Sequence, residues 1–177
     1  FTKLDGGAGT DTLSFASTNN ADQVLSLTIG GAVNFENLEG SDANETLQGD
    51  GNANKLIGNR GADQLYGNAG DDLIFTNSGT NSTNSSDILQ LVNDSNNDAN
   101  DNLYGGAGND MLAGSTGDNI LDGGTGADTI YSGNGSDTIV LRAGDGGSTL
   151  AAADTIADFT DGSDVLGMDD NLQYRQL

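Results

Sequence analysis

The sequence contains no cysteine and no histidine, and only five lysine or arginine residues against 27 aspartate or glutamate. Without cysteine there are no disulfide staples, so a thin core needs another stabiliser, and bound metal ions would serve. Without histidine the usual zinc sites and histidine-based acid–base groups are excluded. The net charge of −22 at pH 7 opposes nucleic acid and anionic membrane as partners, because both repel an acidic surface. No apolar run is long enough to span a membrane. No signal-peptide pattern starts at Phe1, which reads as a cut boundary. A GxxxxGK phosphate cradle is also missing.

What the chain has instead is glycine and aspartate. It carries 28 glycines in 177 residues, and its acids are aspartates except for Glu36, Glu39 and Glu45. Low hydrophobicity with high net charge ordinarily gives disorder. Periodicity argues for a metal-dependent fold. Residues 105–140 divide into four nine-residue units, GGAGNDMLA, GSTGDNILD, GGTGADTIY and SGNGSDTIV. Their sixth positions are Asp110, Asn119, Asp128 and Asp137, and their eighth positions Leu112, Leu121, Ile130 and Ile139. Glycines let each unit curl tightly and turn carbonyls inward. The sixth-position carboxylate joins those carbonyls, and such hard oxygens suit calcium, which takes about six to eight of them. The three residues closing each unit favour a short strand with the eighth side chain inward. Two units make one coil, and successive coils stack as parallel strands roughly 4.8 Å apart. Same-side turns are thus two units apart.

The pattern recurs upstream. Residues 6–14, GGAGTDTLS, form an isolated unit with Asp11 and Leu13 in register. Residues 40–75 hold GSDANETLQ, GDGNANKLI, GNRGADQLY and GNAGDDLIF, with Leu47, Leu56, Leu65 and Ile74 as the aliphatic ladder. Their sixth positions are Glu45, Asn54, Asp63 and Asp72. Glu45 is a methylene too long and Asn54 is neutral, so the start of this block is expected to bind metal weakly or not at all. Between 14 and 40, strands at Val24–Ile29 and Val33–Leu38 flank Gly30-Gly31, which fits either a hairpin or a wider coil. Residues 76–87 read as a protruding loop and Ile88–Val92 as a strand. Asp94, Asn96 and Asp98 have the spacing of half an EF-hand loop, but Ala99 and Gly105 stand where glycine and glutamate are wanted. Residues 96–104 read better as a degenerate unit with Asp101 sixth and Leu103 eighth. Units 67–75 and 105–113 start 38 residues apart, which reads as two coils plus two residues. The expected organisation is one roll over 1–140 with an inserted loop at about 76–101, then a C-terminal segment over 141–177.

These repeats resemble the repeats-in-toxin (RTX) family of exported bacterial proteins. The resemblance implies an all-β fold, a right-handed parallel β-roll of nonapeptide repeats, with several calcium ions between same-side turns. The segment 14–40, ending in FENLEG, resembles the family's wider coil, and DTIADFTDGSDVL (154–166) resembles its C-terminal cap. In that cap Ile156, Phe159, Val165 and Leu166 are expected to cover the last coil, with Asp154, Asp158 and Asp164 as further ligands or solvated acids. The shared-site scheme sets Gly105, Ala107 and Asp110 against Gly124, Gly126 and Asp128. It sets Gly114, Thr116 and Asn119 against Gly133, Gly135 and Asp137. In the first block Gly49, Gly51 and Asn54 face Asn68, Gly70 and Asp72, while Gly40, Asp42 and Glu45 face Asn59, Gly61 and Asp63. Asp11 and Asp101 are further candidate ligands.

The implied role is a calcium-binding module of a secreted protein, folding outside the cell and supporting further domains of the same polypeptide. An adhesin or surface-layer spacer, and the C-terminal module of an extracellular hydrolase or polysaccharide-modifying enzyme, are the alternatives. An ice-binding face is opposed by irregular third positions such as Asp42, Gly51, Arg60 and Ala69. Carboxylate pairs are too abundant to single one out as an acid–base pair, so no catalytic residue is assigned. Tyr66, Tyr104 and Tyr131 share the ninth position, where an aromatic carbohydrate strip is weighed against packing along the strands.

Overall fold

Alternation along a three-residue strand decides the layering. Ile130 points to one side and is fully buried, while its neighbours Thr129 and Tyr131 point to the other. The computed structural model describes residues 4–16, 23–28, 32–77, 99–146, 152–160 and 162–168. Among them are sixteen short strands and no α-helix, hence no helix long and apolar enough to cross a membrane. The first eight are β1 (Leu4–Asp5), β2 (Thr12–Ser14), β3 (Gln23–Ser26), β4 (Ala32–Val33), β5 (Asn37–Glu39), β6 (Glu45–Gln48), β7 (Lys55–Ile57) and β8 (Gln64–Ala69). The others are β9 (Leu73–Phe75), β10 (Asn102–Ala107), β11 (Met111–Ala113), β12 (Ile120–Thr125), β13 (Thr129–Tyr131), β14 (Thr138–Leu141), β15 (Thr155–Ile156) and β16 (Val165–Met168).

Successive strands alternate between two sheets, so the chain winds as a parallel β-roll. One seven-stranded sheet runs β16-β14-β12-β10-β8-β6-β3 and the other β15-β13-β11-β9-β7-β5-β2. All their pairings are parallel. The register aligns eighth positions across strands: Leu47 with Leu65, Leu103 with Leu121, Ile74 with Leu112. Leu38, Leu56, Ile74, Leu112 and Ile130 form one inward row and Leu47, Leu65, Leu103, Leu121 and Ile139 the other, all with 0% exposure. Each buried aliphatic side chain contributes roughly 1.5–3 kcal/mol. With only two such rows, the core is one side chain deep from each sheet.

Both ends of the roll are built from longer coils. Leu13 pairs with Leu38 and β3 pairs parallel with β6, so the 14–40 segment is a wide coil and not a hairpin. A small parallel pair, β1 with β4, widens it further. At the other end Ile156 pairs with Ile130 and Leu166 with Ile139, and both pack on the core. Phe159 and Val165 do not cover it, contrary to expectation; they are 40% and 57% exposed. Val165 directly precedes inward-facing Leu166 on the strand, so its side chain points out.

The excursion also departs from the expected count. Leu65 pairs directly with Leu103 and Ile74 with Leu112. Units 67–75 and 105–113 therefore lie on neighbouring coils, not two coils apart. Most of that excursion, with Ile88–Val92 and Asp94, Asn96 and Asp98, lies outside the described residues, as do Ile29 to Gly31. Asp101 and Leu103 take the sixth and eighth places of the coil that follows, both fully buried.

Outside the core, Tyr66 and Tyr104 stack with ring centroids 4.8 Å apart. Tyr131 lies on the opposite sheet with Phe75 and Ala113, so the three tyrosines form no common strip. The stacked pair turn their ring faces to each other, which favours the packing role.

Candidate metal centre

The turns between strands line the two edges of the roll, and their backbone explains the repeat. Where glycine occupies them, second and fourth positions are left-handed: Gly106 and Gly108 have φ of 113° and 146°, Gly124 and Gly126 have 92° and 141°. A side chain at Gly126 would also strike the carbonyl of Gly108 on the neighbouring turn. Among the described residues three that are not glycine have a left-handed φ, Asn34 (56°) in the wide coil and Asn59 (74°) and Asn68 (79°) at second positions, and after glycine asparagine is the residue that best tolerates it.

Sixth-position side chains form a ladder along each edge. On one, the amide of Asn54 donates to Asp72 Oδ1, that of Asp72 to Asp110 Oδ1, and that of Asp110 to Asp128 Oδ1, each at 2.8 Å. Asp128 then donates to Asp154 Oδ1 at 3.1 Å. On the other, Glu45 donates to Asp63 Oδ1, Asp63 to Asp101 Oδ1, Asp101 to Asn119 Oδ1, and Asn119 to Asp137 Oδ1. Asp137 continues to Asp164 Oδ1 at 3.2 Å. Each carboxylate thus spends one oxygen on the preceding turn.

The second oxygen points the other way. Oδ2 of Asp11, Asp63, Asp72, Asp110, Asp128 and Asp137 is buried and accepts no hydrogen bond. In Asp63, Asp72, Asp110 and Asp128 it lies against the first-position glycine of its own turn; a Cβ at Gly58 would come within 2.6 Å of Asp63 Oδ2. The same Cβ position meets the first-position carbonyl of the next turn, as at Gly67 with Gly105 O, 2.6 Å away. Glycine there keeps a small gap between turns, bordered by a carboxylate oxygen and backbone carbonyls. A buried polar atom without a partner is costly, so these oxygens call for a proton or a cation.

Burial raises these carboxyls. Asp63 is pushed to about 8, by desolvation first and then by the neighbouring Asp101 and Glu45 charges, despite the Glu45 amide that favours its charged form. Desolvation likewise carries Asp72, Asp110, Asp128 and Asp137 to about 6. Among the described residues no three acidic side chains converge as a ready-made cluster. Cation binding there has to draw most of its oxygens from the backbone, which fits the hard, high-coordination chemistry of calcium.

The pairs expected from the sequence do stand on adjacent same-side turns. Gly106 pairs with Gly124 and Ala107 with Thr125, setting the turn of Gly105, Ala107 and Asp110 against that of Gly124, Gly126 and Asp128. Thr116 bridges Asn134, which aligns Gly114, Thr116 and Asn119 with Gly133, Gly135 and Asp137. In the first block the ladder places Glu45 beside Asp63 and Asn54 beside Asp72. The turns of Gly40 and Gly49 therefore face those of Gly61 and Gly70.

Several of these turns differ from the plain pattern. Asp42 pairs with Arg60 at the surface, 3.3 Å away, leaving only its carbonyl for a site. Asn119 gives its oxygen to the Asp101 amide and turns its nitrogen inward, donating to Gly117 O at 3.1 Å. It offers a donor where an oxygen was expected. Asp158 spends both carboxylate oxygens on the backbone amides of Ser132 and Gly133. Asp164 serves Asp137 and Thr160 in the same manner.

One ladder member escaped the repeat count. Glu36 accepts from the Asp11 amide at 2.9 Å and precedes Leu38 by two residues, the sixth-to-eighth spacing. That spacing was the available signal; the wide coil hid it by moving the unit out of ninefold register.

The family profile described as RTX calcium-binding nonapeptide repeat (4 copies) matches residues 3–20, 39–74, 48–82, 97–120 and 113–147, more than half of the chain. A comparison with curated proteins found no match.

Proposed function

The chain belongs to the RTX calcium-binding nonapeptide repeat family, and from that premise we propose a calcium-triggered folding module of a secreted bacterial protein. The family binds calcium ions, several per repeat array, and is a structural repeat without catalytic assignment. The observation that carries the proposal is the row of buried, unpartnered Oδ2 atoms on Asp63, Asp72, Asp110, Asp128 and Asp137. In a chain of net charge −22, they and the thin core set folding against charge repulsion and desolvation.

Asp63, Asp72, Asp110, Asp128 and Asp137 would hold the ions together with first-, second-, third- and fourth-position carbonyls of facing turns. Bound calcium supplies positive charge and oxygen coordination to groups otherwise left buried and unmatched. The chain's own residues preorganise the arrangement: Oδ1 is fixed by the neighbouring amide, and left-handed glycines aim the carbonyls. Extracellular modules typically bind calcium at about 10⁻⁴–10⁻³ M. The chain is therefore unfolded at cytosolic calcium and folds after export, where it supports attached domains.

Circular dichroism of the chain in excess chelator and in millimolar calcium tests this. The expected result is a disordered spectrum that turns to β structure on adding calcium. A β spectrum indifferent to chelator would refute it.

A further inference from the structure

The turn gaps are not chemically equal. Where a gap is closed by a second-position glycine, as at Gly106, Gly124 and Gly133, that residue brings no side-chain donor to the first-position carbonyl facing it. Two gaps are built differently. Asn59 Nδ2 donates to Gly40 O at 2.9 Å, and Asn68 Nδ2 donates to Gly49 O at 3.0 Å. Because the acceptor is a carbonyl, the nitrogen and not the oxygen of each amide must face it. Asn59 and Asn68 adopt the same left-handed backbone as the glycines, so the turn shape is kept while a hydrogen-bond donor is added.

On the sixth-position side of the same two gaps the oxygens are also satisfied, although Asn54 Nδ2 is buried without a partner. Glu45 accepts from the Ser41 amide at 3.0 Å on Oε2, and Ser41 Oγ donates to Oε1. Asn54 Oδ1, which lies against Gly49 as an aspartate Oδ2 does elsewhere, accepts from the Asp50 amide at 2.7 Å. Neither Glu45 nor Asn54 carries the orphaned oxygen found on Asp63, Asp72, Asp110, Asp128 and Asp137. Carbonyl and sixth-position oxygen are thus both occupied by protein donors in these two gaps.

Resting on the calcium-binding reading of the roll, we propose that Asn59 and Asn68 replace the ion in the gaps between turns 40/58 and 49/67, so that neither gap takes calcium. An amide supplies the donor that the carbonyl needs without adding charge, and neither gap carries an unpartnered acid that demands charge. Calcium binding is then left to the other gaps, and Gly40, Asp42, Glu45, Gly49, Gly51 and Asn54 are structural residues.

Calcium stoichiometry of the full chain tests this, measured by equilibrium dialysis and titration calorimetry on wild type, Asn54→Asp, Asn68→Gly and the Asn54→Asp/Asn68→Gly double variant. Glycine is unstrained at a left-handed position, so the fold should survive. The expected result is one additional ion in the double variant and none with Asn54→Asp alone, because the Asn68 amide still holds Gly49 O. An extra ion with Asn54→Asp alone, or none in the double variant, would overturn the proposal. The Glu45→Asp/Asn59→Gly pair repeats the test at the other gap, with the same expectation. A wild-type chain that binds no calcium would instead remove the reading on which the proposal rests.

Discussion

The Asp110 amide donates to Asp128 Oδ1 at 2.8 Å across 18 residues of sequence, leaving Asp128 Oδ2 buried without a hydrogen bond. One carboxylate therefore has two jobs. Its first oxygen locks the stacking of two coils, and its second demands a proton or a cation. The two jobs can be separated experimentally, because they respond differently to pH and to substitution.

The pH response follows from burial. Asp72, Asp110, Asp128 and Asp137 sit near 6 and Asp63 near 8 in the folded chain, each raised from 3.8 by desolvation first. The calcium-free roll thus binds more protons than the unfolded chain. Their favourable contribution is fully present below about pH 4 and is lost as pH rises through 6 and then 8. Calcium competes with those protons, so its affinity should climb over the same window and binding should release protons. Calorimetry at pH 5 and pH 7.5 in buffers of different ionisation enthalpy checks both. Equal affinity at the two pH values, with no proton release, would contradict the assignment.

Substituting Asp128 separates the two oxygens. Asp128→Asn keeps an oxygen for the Asp110 amide but removes the charge, so calcium affinity should fall by at least about tenfold, or 1.4 kcal/mol. Asp128→Ala also strands the Asp110 amide and should cost a further 1–3 kcal/mol or so. Glu45→Ala should leave calcium affinity unchanged, although thermal stability falls because Ser41 loses its acceptor. Calcium titrations and melting curves on the three variants decide this. A comparable affinity loss in Glu45→Ala would mean that the first turn binds metal after all.

Much of this arrangement is legible in the sequence because it is local and periodic. The eighth-position row from Leu47 to Ile139 is fully buried as the ninefold register requires. The aspartates at sixth positions fall into its two ladders. What stayed hidden depends on contacts the period does not encode. Whether Asn59 and Asn68 offer an amide or a carbonyl to the gap is decided by residues 19 positions earlier. Asn119 looked like a neutral ligand until the Asp101 amide claimed its oxygen. Phe159 and Val165 looked apolar enough to cover the roll, yet the pairing of Leu166 with Ile139 sets which face each one takes.

Glycine positions offer a test of the gap itself. A Cβ on Gly67 would sit 2.6 Å from Gly105 O and strike Asp72 Oδ2, whereas a Cβ on Gly51 meets nothing within 4 Å. Gly67→Ala should therefore lower the calcium-loaded melting temperature and weaken calcium binding together. Gly51→Ala should change stability by no more than about 0.5 kcal/mol, the usual range for an open surface position. Equal tolerance of both would show that the gap bordered by Gly67 and Asp72 is not under steric control.

The excursion between the two blocks can be removed without breaking the register. Within each block same-side sixth positions are 18 residues apart, but Asp63 and Asp101, like Asp72 and Asp110, are 38 apart while still joined by hydrogen bonds of 2.7 and 2.8 Å. Thr76 already sits at the start of a unit, fully buried, with its amide donating to Ala113 O at 3.1 Å. Deleting 77–96 joins Thr76 to Asn97 and leaves a nine-residue unit with Asp101 sixth and Leu103 eighth. The strand pairs β8–β10 and β9–β11 exist already, so no new interface has to form. The shortened chain should keep its calcium stoichiometry and its calcium-induced β spectrum. Loop closure then costs less, since closing a loop becomes harder as it lengthens; refolding on calcium addition should be as fast or faster. Loss of calcium-induced folding in the deletion variant would mean that the two blocks depend on the excursion, and that the direct pairing of Leu65 with Leu103 does not hold them together alone.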